Sequence, residues 1–314
     1  MSVCLVTGGA GFIGSHVVDA LVSRGDSVRV VDDLSTGSRE NLTTSSKIEF
    51  VQADLADPGV APAAVDGVEM VVHLAAIPSV PRSVHEPART HRANVDATQA
   101  LLLASRDASV RRVVQASSSS VYGESETLPK HEGMAPSPLS PYALHKLIAE
   151  QYASLYTRLY GLETVSLRFF NVFGPRQSPG SQYSGVISLF TAALLEGRSP
   201  TIYGDGEQTR DFTYVSDVAD GILRALSAPG ASGQAINLAR GGRTSVNLLY
   251  AMLQRATGVE REALHKDPRT GDIRDSQADI SRARKLLGFE PGVTVEEGLR
   301  RTVEWQRTDG AQRT

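Results

Sequence analysis

The chain has 314 residues, 41% of them hydrophobic and 21% charged, an ordinary composition for a globular protein of one large or two intimate domains. A net charge of −3 argues against a nucleic-acid partner, because binding a phosphate backbone needs a basic surface. One cysteine, Cys4, rules out an internal disulfide or a cysteine-based metal cluster, and no histidine pair has ligand spacing on a helix, so no metal is expected.

The first apolar stretch has no basic flank and is broken by Gly8, Gly9, Gly11, Ser15 and His16, unlike a signal peptide. No apolar run reaches the roughly 18 residues of a membrane span. Cys4 lies in an apolar strand pattern and reads as a buried, inert thiol. The expectation is a cytoplasmic protein with no membrane partner.

In chain order, residues 3–7, 27–31, 48–52, 70–74, 112–116 and 164–168 read as short buried strands, separated by lengths suited to crossover helices. Such repetition predicts an α/β fold built on a doubly wound parallel sheet, of the Rossmann type. Beyond Asn171 the pattern loosens into Gly- and Pro-rich stretches, with one further strand at 234–239 and a helix at 246–257. Two interleaved domains are expected. A dinucleotide-binding domain would take residues 1–169 and be re-entered around 210–239, and a smaller substrate domain would take 170–209 and 240–314.

The first strand runs into Gly8-Gly9-Ala10-Gly11-Phe12-Ile13-Gly14 and then into a helical pattern. Glycines at that junction allow a tight turn and let the backbone approach a pyrophosphate, which then faces the helix N-terminus. Asp32, at the end of the second strand, is placed to accept hydrogen bonds from adenosine ribose hydroxyls. It would repel a 2′-phosphate, so NAD is favoured over NADP.

Tyr142 and Lys146 are four residues apart and project from one helix face, which Ala149 and Ala153 continue. A free tyrosine titrates near 10, and a nearby ammonium together with a positive nicotinamide would favour its phenolate. The run Ser117-Ser118-Ser119-Ser120-Val121-Tyr122-Gly123 follows a strand, which puts a hydroxyl at the ligand-facing rim of the sheet. Leu144, Ile148, Leu155 and Leu159 form a second apolar face on the same helix, and helix 95–105 is apolar nearly all round. A helical homodimer interface is expected from these faces, with burial within the chain as the alternative.

Taken together, residues 8–14, the set Ser118, Tyr142 and Lys146, Arg168-Phe169-Phe170-Asn171 and Arg210-Asp211-Phe212 resemble the extended short-chain dehydrogenases, the NAD-dependent nucleotide-sugar epimerase and dehydratase family. The likeness covers the chain from about Val3 to Trp305. It implies that Ser118, Tyr142 and Lys146 are catalytic. It implies a cofactor site drawn from Gly8, Gly11, Phe12, Ile13, Gly14, Asp32, Asp33, Asp54, Leu55, Leu74, Ala75, Ala76 and Phe169, beside Tyr142 and Lys146. Ser119, Asn171, Arg210, Arg269 and Asp272 would join Ser118 in holding the nucleotide-sugar. Without the motif, Asn171, Arg210, Arg269 and Asp272 are only polar residues in irregular stretches.

Dehydratases of this family place Asp-Glu directly after the catalytic hydroxyl, and the decarboxylases tend to carry Glu at the second position. Ser119 and Ser120 stand there instead. Reversible oxidation is the chemistry left: loss of a hydride to NAD+, rotation of the keto-sugar and return of the hydride to its other face. The stretches 168–177 and 183–187 are most similar to 4-epimerases that accept N-acetylhexosamines, and Ser276 falls at their gate beside the acetamido group. The expected activity is a UDP-hexose 4-epimerase taking UDP-Glc/UDP-Gal and UDP-GlcNAc/UDP-GalNAc. The competing readings are a uronic-acid epimerase, an epimerase at another carbon, a reductase, an atypical dehydratase, and more remotely a non-catalytic NAD-binding regulator.

Overall fold

Short apolar runs separated by helix-length segments can bury both faces only as a parallel sheet with helices on either side. The computed structural model describes residues 3–178, 185–268 and 273–308 and has that architecture. The early strands are β1 (Val3–Thr7), β2 (Ser27–Asp32), β3 (Ile48–Gln52), β4 (Met70–His73), β5 (Arg112–Ser118) and β6 (Glu163–Phe169). Short strands follow at β7 (Asn171–Phe173), β8 (Thr201–Tyr203), β9 (Thr209–Arg210) and β10 (Phe212–Tyr214), then β11 (Gln234–Leu238), β12 (Thr244–Ser245) and β13 (Leu264–Lys266). Seven of them form one parallel sheet in the order β11-β6-β5-β4-β1-β2-β3. The others pair two by two, as β10 with β7, β12 with β9 and β13 with β8.

Consecutive strand residues face opposite sides of the sheet, and the core divides accordingly. Val6, Val72 and Val114 pack under α1 (Phe12–Arg24) and, later in the chain, α8 (Val215–Ala225). Their neighbours Leu5, Val71 and Val113 pack on the other side under α2 (Val60–Val65), α5 (Ala97–Asp107) and α6 (Pro141–Tyr160). Each buried aliphatic side chain contributes roughly 1.5–3 kcal/mol relative to exposure. Both layers are therefore needed to fix the sheet. The short helices α3 (Val80–His85) and α4 (Pro87–His91) lie between them in sequence. A separate cluster around Phe173, Phe190, Ile202, Leu249 and Leu299 draws together α7 (Val186–Leu195), α9 (Val246–Thr257) and α11 (Val295–Thr308), while α10 (Ser281–Leu287) contributes Leu287 to the main core.

The strand positions follow the sequence pattern closely, and the differences are informative. β5 runs to Ser118, two residues beyond the apolar run, because Ser117 and Ser118 continue the ladder opposite Arg168 and Phe169. Helix 95–105 is realised as α5 preceded by a π turn over Arg92–Asp96. There Asn94 exchanges hydrogen bonds with the backbone of Ile77, donating to its carbonyl and accepting from its N–H at 2.7 Å. Such π segments gather at functional sites.

Candidate active site

The chain leaves β3 at one edge and returns to β4 on the other side of β1, so a crevice opens at the carboxyl ends of β1 and β4. The glycine turn lies there. Gly8 sits at φ +67°, its N–H donating to the Val31 carbonyl at 2.8 Å. A Cβ on Gly14 would stand 2.1 Å from the Gly8 carbonyl oxygen, and one on Gly8 would stand 2.7 Å from the Ala75 nitrogen. Gly11 is the N-cap of α1 and, having no side chain, makes no cap hydrogen bond to the first-turn N–H groups. A cradle closed to any side chain, under an uncapped helix N-terminus, fits the pyrophosphate of a dinucleotide.

Asp32 ends β2 with its carboxylate fixed by the backbone N–H groups of Ala10 and Leu34, each at 2.9 Å. Burial raises its pKa, and those N–H groups pull it back. Asp33 turns away to accept from Ser35, at 2.9 Å from its N–H and 2.7 Å from its hydroxyl. Asp54 accepts from Ala56 N–H at 2.9 Å and pairs with Arg92, a cation that sequence reasoning missed. Leu55 beside it is buried. On the other wall, Leu74 and Ala75 are tied to Thr7 through its carbonyl and hydroxyl, at 3.1 and 3.3 Å, and Ala76 follows half-buried. His73 bonds Thr7 and Thr98 through its two ring nitrogens. Burial first, and Lys146 second, push its pKa down to about 3, so it is a neutral scaffold. The Thr7–His73–Thr98 chain and Asn94 carried no sequence signal, because each acts through partners more than 15 residues away.

Ser140 caps α6 by accepting from Ala143 N–H, and Pro141 opens the helix, so Tyr142 lies in its first turn. The Ser83 hydroxyl accepts from Tyr142 N–H at 3.0 Å. Lys146 lies one turn on, its ammonium donating to the Ala116 carbonyl at 2.9 Å and standing 6.0 Å from the centre of the Tyr142 ring. Ser118 ends β5, and its hydroxyl accepts from both the N–H and the hydroxyl of Ser120, at 3.1 and 2.9 Å. With its lone pairs so engaged, its own proton is directed towards another acceptor, and Tyr142 is within reach.

The electrostatics qualify the part expected of Lys146 alone. Burial raises the Tyr142 phenol and the Ser118 hydroxyl only partly offsets this, so the protein's own groups do not depress it. The reason is geometric: the Lys146 ammonium is bonded to a strand carbonyl and not to the phenol. Burial lowers Lys146 itself to about 8, with Glu150 acting in the opposite direction.

Among the expected substrate residues, Ser119 opens a 3-10 turn (Ser119–Tyr122) directly after β5, half-buried. Phe169 ends β6, and Asn171 follows in β7, its N–H donating to the Asp211 carbonyl. Arg210 donates to the carbonyls of Thr209 and Arg274, and Ser276 N–H donates to the Thr209 carbonyl at 3.1 Å, so these residues share one strand-and-loop seam. Arg269 and Asp272 lie outside the described residues. A cavity of about 620 Å³ opens beside this seam, lined by Tyr203, Gln208, His265, Lys266 and Arg274 among others. None of Ser118, Tyr142 and Lys146 lines it. Tyr203 and Gln208 were not selected from sequence, since neither belongs to a motif.

A glycine cradle facing a Ser-Tyr-Lys set across one crevice defines a nicotinamide-dependent enzyme of the short-chain dehydrogenase class. A family model described as the NAD dependent epimerase/dehydratase family matches residues 4–239. The UDP-glucose 4-epimerase of Mycolicibacterium smegmatis is 43% identical over 308 residues, 96% of this chain and 98% of that one. Among solved structures, the UDP-N-acetylglucosamine 4-epimerase of Methanobrevibacter ruminantium, in complex with UDP-N-acetylmuramic acid, superposes with a TM-score of 0.94 at 40% identity, over 98% of each chain. The UDP-glucose 4-epimerase of Thermotoga maritima with UDP-glucose does so at 0.93 and 41% identity, over 97% of this chain and 98% of that one. The chain belongs to the NAD dependent epimerase/dehydratase family and is an NAD-dependent enzyme of the epimerase type.

Proposed function

We propose that this enzyme interconverts the carbon-4 epimers of UDP-hexoses, UDP-Glc with UDP-Gal and UDP-GlcNAc with UDP-GalNAc. The observation that carries the reading is the Ser118–Tyr142–Lys146 set with serine hydroxyls, and no carboxylate, at positions 119 and 120. Tyr142 takes the proton of the sugar hydroxyl and later returns it. Ser118 donates its proton to the oxygen that carries negative charge, and Lys146 holds a cation near the phenol. NAD bound there would supply reversible hydride chemistry. The residues that would hold it are the Gly8–Gly14 backbone and Asp32 at the ribose, with Asp54 and Leu55 near the adenine and 74–76 along the opposite wall.

We place the nucleotide end of the substrate in the cavity beside Arg210 and Arg274, and the sugar between Ser118 and the Thr209–Ser276 seam, with Ser276 at the acetamido group. Residues 1–169 with 210–239 are read as the cofactor domain, and 170–209 with 240–314 as the substrate domain. The exposed leucines of α6, Leu144 and Leu159, support a homodimer through that helix. Among the described residues no helix is long and apolar enough to cross a membrane.

The test is to incubate the purified protein, with no added cofactor, with UDP-Glc, UDP-GlcNAc and UDP-GlcA separately, and to resolve the products by NMR. Epimers at carbon 4 of unchanged mass are expected from the first two. A product lighter by one water, or turnover of the glucuronate alone, overturns the assignment.

A further inference from the structure

Helix α6 grips β5 at three successive residues. Tyr142, Lys146 and Glu150 are spaced by four and stand in line on one helix face. Tyr142 meets Ser118, Lys146 meets the Ala116 carbonyl, and Glu150 accepts from the Ser117 hydroxyl. Nothing in the chemistry above uses the third contact. Glu150 is nevertheless buried, and so is its partner Arg168 on β6, which presents Nε and Nη2 to the two carboxylate oxygens at 2.8 and 2.7 Å. The guanidinium also lies 4.8 Å over the Tyr122 ring, whose hydroxyl donates to Asn237 at 2.6 Å.

Stability does not explain a charge pair at this depth. Desolvating two ions costs about as much as their attraction returns, and a well-packed apolar pair often serves as well. A fixed geometry is what the pair does provide: a two-bond fork admits one orientation of each plane. We propose that Glu150, clamped by Arg168 and Ser117, is a positioning residue for the Tyr142–Lys146 pair, fixing that helix face on β5 and holding a carboxylate one helical turn from Lys146. The proposal rests on the reading of Tyr142 as the base and Lys146 as its cation.

The other groups around Lys146 leave Glu150 that part. From β4, His73 is held neutral between Thr7 and Thr98. On α6, burial lowers the pKa of His145, and its ring stacks edge-on against His91 of α4. Tyr142 on α6 and Ser118 on β5 carry no charge while protonated, and Arg168 of β6 is spent on Glu150. Glu150 is the group that opposes the effect of burial on Lys146.

The experiment is the pH profile of kcat for UDP-Glc epimerisation in the NAD-loaded protein, for wild type, Glu150→Gln and Glu150→Asp, with Tyr142→Phe as reference. Removing the charge is expected to move the alkaline limb acidward by roughly one pH unit. Glu150→Asp, which keeps the charge, is expected to restore the limb even where kcat stays low. Should Glu150→Gln fail to fold, the neutral double variant Glu150→Gln/Arg168→Met is expected to move the limb the same way but by less, because losing the Arg168 cation offsets part of the loss of the Glu150 charge. Limbs unmoved in the charge-free variants, with kcat falling only as thermal stability falls, overturn the positioning role while the base assignment stands. Retained turnover in Tyr142→Phe overturns the base assignment and this proposal with it.

Discussion

The ammonium of Lys146 stands 6.0 Å from the centre of the Tyr142 ring and is hydrogen-bonded elsewhere, to the Ala116 carbonyl of the central strand. In this arrangement the Lys146 ammonium is hydrogen-bonded to the strand and not to the phenol. Removing the phenol's proton function should cost turnover and not binding. Tyr142→Phe is expected to lower kcat by about 10²- to 10⁴-fold, the range of general acid–base contributions, with NAD content unchanged. Epimerisation rate and the nucleotide released on denaturing the pure protein check both halves.

Cofactor retention should fail at the glycine turn. A methyl group on Gly14 meets the Gly8 carbonyl at 2.1 Å, so the turn must open or the helix must withdraw. Gly14→Ala is expected to purify without NAD and to melt below wild type. Retained NAD at wild-type stoichiometry would show that the cradle is not where the pyrophosphate sits.

Asp211 gives a pH signature. Its carboxylate is fully buried and accepts from the N–H groups of Arg240, Gly241 and Ala278, and burial raises its pKa to about 6. An acid whose folded pKa is raised contributes stability that is fully present below its unfolded pKa, near 4, and lost as pH rises through about 6. The span is worth about 3 kcal/mol as an upper bound. Measured against Asp211→Asn, the unfolding free energy of wild type is expected to decline between pH 4 and 7 and to be level above it. A flat difference across that window would contradict the buried acid.

The seam carrying Ser276 is held by Thr209, and Ser276 is half-buried there. Ser276→Tyr is expected to reduce turnover of UDP-GlcNAc by at least about 10-fold relative to UDP-Glc. Equal loss on both sugars would remove Ser276 from the gate.

Leu144 and Leu159 on α6 are 46% and 61% exposed, although the opposite face of that helix is buried on the sheet. Replacing both with Glu should convert a dimer into a monomer in sedimentation. A monomeric wild type would refute the homodimer directly.

Much of this was written in the sequence. The sheet was legible because its central strands are buried on both faces and so read as largely apolar runs, whereas 48–52, also expected to be buried, forms the edge strand β3 and is mostly exposed or half-buried. The glycine turn and the Tyr142–Lys146 pair were legible because their geometry is local: one junction and one helical turn. Only the tertiary structure decided what crosses between elements. It set Ser118 rather than Ala116 as the end of β5, and it tied His73 to Thr7 and Thr98. It also joined Glu150 to Arg168 and buried the Tyr142 phenol, which raises its pKa. Periodicity and spacing report neighbours along the chain, whereas burial and long-range hydrogen bonds depend on which strands and helices meet.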